Sequence, residues 1–89
     1  MLKISQIGSV NPTVTLRVEG RIVGPWVAEL QHSCEEVLND GLPLKLHLAD
    51  VEYMDPHGVA LLSSLQSRGV ALVECSPFAA EQLKATANL

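Results

Sequence analysis

Five acidic and histidine side chains lie within eleven residues of one another and could bind a metal ion or transfer a proton. They are His47, Asp50, Glu52, Asp55 and His57. Three of them, His47, Asp55 and His57, offer the nitrogen and oxygen ligands that transition metals use. Their spacing matches no standard zinc pattern, and no cysteine joins them. The sequence therefore predicts no metal site, and His47 is expected on the solvent side of a strand.

The sequence also lacks the motifs of common catalytic and phosphate-binding sites. GxGxxG, GxxxxGK[ST], GxSxG and HExxH do not occur. No set of nucleophile, base and orienting group can be assembled from the residues present. We therefore expect a protein that is not an enzyme and uses no cofactor. Chemistry centred on His47, Asp55 and His57 ranks last among the functional hypotheses.

The elements that position the polar residues follow from the hydropathy pattern. Period-two alternation predicts strands over residues 2–7, 13–19 and 44–49, the first two joined as a hairpin through residues 8–12. Residues 50–54 are expected to form a loop or a short extended stretch. The continuous apolar run 70–73 predicts a strand covered on both faces. Helices are expected to begin at Pro25, Pro56 and Pro77, with Asp55 and Ser76 as N-caps.

These elements give the order β-β-α-β-α-β-α. Helices that alternate with strands predict an α/β fold with a parallel or mixed sheet. A chain of 89 residues has room for one domain, over residues 1–89. Hydrophobic residues make up 47% of it, which excludes a disordered chain. Cys34 and Cys75 lie in apolar segments and are expected to be unreactive thiols.

Charge and hydropathy restrict the partners. The net charge is −4 and no basic cluster occurs, so nucleic-acid binding is not expected. No apolar run reaches the length of a membrane span, which predicts a soluble, cytoplasmic protein without membrane insertion. The first predicted helix, over residues 25–40, carries four acids and neither lysine nor arginine. This acidic surface is either a solvated face or a contact for a basic partner.

Residues 46–62 resemble the core of STAS domains, the family of sulfate transporter and anti-sigma factor antagonist domains. That core reads approximately D-L-S-x-V-x-x-I-D-S-S-G-L-x-x-L, and here the segment reads LHLADVEYMDPHGVALL. Val51, Met54, Asp55 and Gly58 match, as do the leucines that follow. The resemblance extends over nearly the whole chain and implies a STAS-like mixed sheet with helices. Many members continue with a further strand and helix, which would be absent here.

The resemblance implies a protein-interaction module that docks through Met54, Asp55, Pro56, His57 and Gly58. In partner-switching members, a kinase-like anti-sigma factor phosphorylates the serine directly before the glycine. His57 occupies that phosphoacceptor position here, and Pro56 replaces the serine before it. The serine-phosphorylation switch is therefore not expected to operate, although a histidine can itself titrate or accept phosphate.

Two functions are implied by this resemblance. The first is a regulatory module related to bacterial anti-sigma factor antagonists, with an anti-sigma factor or regulatory kinase as partner. The alternative is a small accessory subunit on the ATPase of an ABC-type lipid transporter. An open sheet edge would also allow a homodimer.

Overall fold

The strands and helices follow one another in the order that the sequence predicts. A computed structural model of the chain describes residues 2–8 and 12–87, with the backbone alone for residues 85–87. Its elements are β1 (Leu2–Gln6), β2 (Val14–Ile22), α1 (Pro25–Asn39), β3 (Leu44–Met54), α2 (Pro56–Ser67), β4 (Ala71–Val73) and α3 (Pro77–Ala87). The predicted α/β class and element order are confirmed.

The four strands form one mixed sheet in the order β1-β2-β3-β4. β1 and β2 are antiparallel, as expected for a hairpin, and β2, β3 and β4 run parallel. The predicted hairpin loop includes residues 9–11, which lie outside the described residues. The parallel pairs require crossovers, and α1 and α2 provide them.

β3 is longer than the alternation of its side chains indicates. It was expected to end at Ala49, with a loop or short extended stretch after it, but it continues to Met54. The pairing of β2 with β3 shifts register twice, and each shift places one extra residue in β3. Two consecutive residues therefore face outward at Ala49–Asp50 and again at Glu52–Tyr53. These bulges break the period-two pattern without ending the strand.

The hydrophobic core lies between the sheet and a layer of helices on one of its faces. β3 turns its buried leucines toward this layer, and α2 contacts both α1 and α3. On the other face Lys45 and Ala49 are exposed and His47 is half-buried. The fully buried large side chains are Ile22, Leu30, Leu46, Leu48, Leu62, Leu65, Val18 and Cys34. An aliphatic core of this kind agrees with a chain that has three aromatic residues.

Two predictions about burial are wrong. β4 was expected to be covered on both faces, but its three residues are only half-buried, because it is an edge strand and the helices cover one face of the sheet. The helical spacing of apolar residues also predicts Trp26 and Ala80 on the apolar sides of α1 and α3, but both are exposed. In α1 the buried contacts come from Leu30 and Cys34, one and two turns farther along.

The predicted helix caps are confirmed in atomic detail. The Asp55 side chain accepts a hydrogen bond from the Gly58 N–H, and the Ser76 hydroxyl oxygen accepts one from the Ala79 N–H. The Ser76 hydroxyl also donates to the Val51 carbonyl of β3, so that α3 is attached to the sheet where it begins. None of the helices in the described ranges is long and apolar enough to cross a membrane.

Candidate functional site

The segment over residues 54–58, called the α2 turn below, joins the end of β3 to the start of α2. One carboxylate organises it. Asp55 Oδ1 accepts from the Gly58 N–H at 2.8 Å, and Oδ2 accepts from the Gly24 N–H at 3.0 Å. The Asp55 N–H donates to the Ile22 carbonyl at 3.1 Å. Asp55 therefore ties the start of α2 to the turn between β2 and α1.

The same hydrogen bonds determine the charge of Asp55. The Gly24 N–H, and after it the Gly58 N–H, hold the pKa of the Asp55 carboxyl below its usual range, because both bonds favour the ionised form. A carboxylate that stays ionised at neutral pH does not act there as a proton donor. Asp55 is accordingly a structural acceptor in this turn.

Gly58 permits the close approach of α2 to β2. A Cβ atom at this position would lie 2.6 Å from the Ile22 carbonyl oxygen and 3.0 Å from Ile22 Cγ2. The distance to the oxygen is shorter than any contact that a real Cβ makes. Glycine is thus needed at position 58 for space, since the start of α2 rests directly on the backbone of β2.

The five residues that the resemblance assigns to docking divide into two groups. Met54 is 3% exposed and Gly58 is buried, and both lie beneath the surface of the turn. Asp55 is half-buried, whereas Pro56 and His57 are exposed. The side chains available to a partner on the α2 turn are therefore chiefly those of Pro56 and His57.

A groove of about 390 Å³ lies beside the α2 turn, between α2 and α3. Tyr53 is 44% exposed there, and its ring lies 5.6 Å from that of Phe78, centroid to centroid. The Arg21 guanidinium is 6.0 Å from the Tyr53 ring. We call this the Tyr53 groove; its lining residues are Tyr53, Met54, Pro56, Val59, Ala60, Phe78 and Gln82.

Sequence reasoning did not identify the Tyr53 groove. Tyr53 follows the second register shift of β3, which turns its side chain outward, and Phe78 comes from a different element. The detectable signal was an aromatic residue directly before the predicted cap segment. Its exposure could not be inferred while residues 50–54 were interpreted as a loop.

The five acidic and histidine side chains between residues 47 and 57 do not form one site. His47 pairs with Arg17 and Val73 in the middle of the sheet, and the six strand residues 48–53, a length of about 20 Å, separate it from the α2 turn. Asp50 accepts from Arg17 Nε at 3.0 Å. His47 Nδ1 is buried and has no hydrogen-bond partner among the described residues. Within residues 2–8 and 12–87, no three histidine, cysteine or acidic side chains are grouped so that they could hold a metal ion.

The acidic surface of α1 is partly accounted for by an ion pair between helices. Arg68, which follows α2, donates two hydrogen bonds to the Glu35 carboxylate, both of 2.9 Å. These bonds lower the pKa of the Glu35 carboxyl and join the two helices. Glu36 contacts His32 at 3.0 Å, and the Glu29 carboxylate has no ion pair within the described part of the chain. Glu35 therefore has a structural role that the sequence did not reveal, but Glu29 and Glu36 do not.

Comparison of the chain with protein-family models and with curated proteins finds no match.

Proposed function

We propose that the chain is a non-enzymatic regulatory interaction module of STAS type, which docks on a protein partner in the bacterial cytoplasm through the α2 turn and the Tyr53 groove. The partner class is an anti-sigma factor or a related regulatory kinase. One observation carries the proposal: an exposed turn of fixed geometry lies beside an exposed aromatic groove and has no hydroxyl group to phosphorylate.

The fixed geometry favours binding because little conformational entropy remains to be lost. The three hydrogen bonds of Asp55 and the contact of Gly58 with Ile22 leave the backbone of the turn few alternatives. Pro56 restricts the turn further. A surface that is preorganised in this way converts more of its contact energy into affinity.

The Tyr53 groove supplies the apolar contact that such a surface needs. Tyrosine is enriched among the residues that dominate binding energy, and Tyr53 combines exposed apolar area with a hydroxyl group. No charged residue lines the groove, so its complementary occupant is an apolar side chain, and the net charge of −4 favours a basic partner protein as a whole. Charge of this kind accelerates encounter and selects the partner.

The α2 turn contains no serine, threonine or tyrosine. A phosphate at this place would add about −1.5 to −2 charges to a docking surface and would disrupt close contact. With His57 and Pro56 in the serine positions, the surface remains competent to bind whether or not a kinase is active. Binding is accordingly constitutive.

The test uses the kinase-type anti-sigma factors and the ABC transporter ATPases of the source cell, each purified and immobilised. We expect one of the kinase-type proteins to bind. Tyr53→Ala should weaken that binding about tenfold, as for a central aromatic contact. Gln31→Ala is the control, because Gln31 is an exposed, uncharged residue of α1, away from the Tyr53 groove. It should change the affinity less than about twofold.

The same complex tests whether the chain lacks the phosphorylation step that would release it from the partner. With radiolabelled ATP, no phosphate should reach the parent chain and binding should persist, whereas His57→Ser restores a hydroxyl and should be phosphorylated and released. Stoichiometric labelling of the parent at Ser63 or Ser64 would contradict the proposal. Binding to a transporter ATPase instead would assign the chain to the accessory-subunit function, and binding to neither class would refute both.

A further inference from the structure

β1 has a free edge whose backbone groups can be located from the hydrogen bonding of the hairpin. The Ile7 N–H donates to the Thr15 carbonyl at 2.9 Å, in register with the pairs of β1 and β2. In an antiparallel ladder, residues alternately bond to the neighbouring strand and point away from it. The N–H and C=O groups of Leu2, Ile4 and Gln6 therefore point away from β2. No other strand of the described residues pairs with that edge.

A groove of about 420 Å³ runs between this edge and α1. Leu2, Ile4 and Leu16 form its apolar floor, and we call it the β1 groove. The side chains of Trp26, Glu29 and Glu36 line it from α1. Unpaired backbone groups, an exposed indole and two carboxylates thus lie along one side of the molecule.

The charge of the β1 groove is uniformly negative. None of its lining residues is a lysine or an arginine, and α1 has neither in its sequence. Glu36 lies in the last turn of the helix, where the macrodipole disfavours a negative charge. Among the described residues its ion partner is His32, and Glu29 has none. Neither carboxylate pairs with a lysine or arginine of the described residues, and their charge favours a cationic occupant.

We propose that an extended basic segment of a partner protein adds to β1 as a fifth strand and fills the β1 groove. Its backbone would pair with Leu2, Ile4 and Gln6, and side chains at alternate positions would enter the groove. An apolar side chain there would contact Trp26, and lysine or arginine side chains would pair with Glu29 and Glu36.

A second copy of the chain fits this edge poorly. Two β1 strands paired about a two-fold axis would place both α1 helices on the same face of a continuous sheet. The acidic surfaces carrying Glu29 and Glu36 would then face each other, and juxtaposed like charges oppose association. Charge complementarity thus selects a basic segment over a homodimer. The proposal does not depend on the α2 turn, which belongs to a different surface.

The test uses the full chain and a nine-residue lysine–valine peptide, with lysine at its positions 1, 5 and 9, valine at 3 and 7, and threonine between them, so that both residue types lie on one face of the added strand. Trp26 is the only tryptophan of the chain, so its emission reports directly on the β1 groove. We expect a saturable change in that emission and a rise in the anisotropy of a labelled peptide. The same peptide with glutamate in place of each lysine should bind about tenfold more weakly.

Charge reversal distinguishes binding in the β1 groove from a general attraction to the net charge of the chain. Glu29→Lys with Glu36→Lys should weaken the lysine–valine peptide about tenfold, since two favourable pairs become repulsive. Glu74→Lys with Glu81→Lys is the control, because it makes the same change in net charge at exposed positions outside the groove. It should alter the affinity less than about threefold.

Backbone methylation of the peptide tests strand addition itself. Peptides N-methylated at alternate positions, in the two possible phases, should differ: one phase loses binding and the other retains it, because only one set of N–H groups faces β1. Equal binding of the two methylated peptides would overturn strand addition. Equal loss of affinity in the two charge-reversed double variants would overturn the β1 groove as the binding site. Absence of any emission change, or a stable dimer of the chain that buries Trp26, would overturn the proposed occupant.

Discussion

Replacement of Gly58 by alanine should destabilise the protein, although the same change inside a helix usually stabilises it. Alanine has a helix propensity about 1 kcal/mol better than glycine. Here the new Cβ would lie 2.6 Å from the Ile22 carbonyl oxygen, and that oxygen cannot turn away because it accepts the Asp55 N–H. To relieve this contact the start of α2 would have to move, and the movement would strain the hydrogen bonds of Asp55.

The size of the effect follows from two opposing contributions. Overpacking of a tightly packed position costs about 1–3 kcal/mol, and the upper half of that range applies because the obstructing atom belongs to the backbone. After the gain in propensity, a net loss of about 1–2 kcal/mol remains for Gly58→Ala. In a domain of this size the melting temperature should fall by roughly 5–15 °C.

Thermal unfolding followed by circular dichroism, together with urea titration, measures this loss. Gln66→Ala is the matched control, because Gln66 is an exposed residue of the same helix. Its free energy of unfolding should stay within about 0.5 kcal/mol of the parent. A Gly58→Ala variant as stable as the parent, or more stable, would refute the assignment of Gly58 to close approach.

Three other measurements test the same region and the core. Asp55→Asn should lower the melting temperature by roughly 5 °C at pH 7. The difference from the parent should vanish well below about pH 4, because a carboxylate with a lowered pKa loses its stabilising effect as the pH falls through the folded-state value. Gln66→Ala, which changes no titratable group, is the control in the same melting series. Gly24→Ala should lower the free energy of unfolding, measured by urea titration, by about 1–3 kcal/mol, because φ at Gly24 is 53° and only glycine adopts that backbone conformation without strain. The new Cβ would contact no other atom, so the loss would come from the backbone alone. A thiol reagent at pH 8 should label half-buried Cys75 well before Cys34, since burial raises the pKa of the Cys34 thiol to about 12; equal rates would contradict the buried position of Cys34.

The parts of the fold that could be predicted are those specified by neighbouring residues. An aspartate or serine before a proline is a local signal, and the caps at Asp55 and Ser76 are present as expected. The length of β3 depends on how it pairs with β2, and a bulge has no signature in the hydropathy of one strand. The burial of β4 depends on its place at the edge of the sheet. Predictions failed where the determining contact comes from another element.

The candidate site shows the same limit. The cap role of Asp55 could be inferred from its own neighbours, but its bond to the Gly24 N–H joins residues 31 positions apart. The contact of Tyr53 with Phe78 requires that α3 return to the end of β3. The ion pair of Glu35 with Arg68 likewise joins two helices, so the sequence alone left the acidic face of α1 without a structural explanation.

These contacts determine what the STAS resemblance indicates about fold and about function. The matching positions at the α2 turn, Met54, Asp55 and Gly58, all have structural roles: a buried side chain, a cap that joins two turns, and a close approach to β2. A match at such positions bears on the fold and says little about function. The two positions of the α2 turn that depart from the family pattern, Pro56 and His57, are the exposed ones. A partner would contact those side chains and Tyr53, so the proposed docking function depends on these three positions, and the ATP-dependent release of His57→Ser is its most direct test.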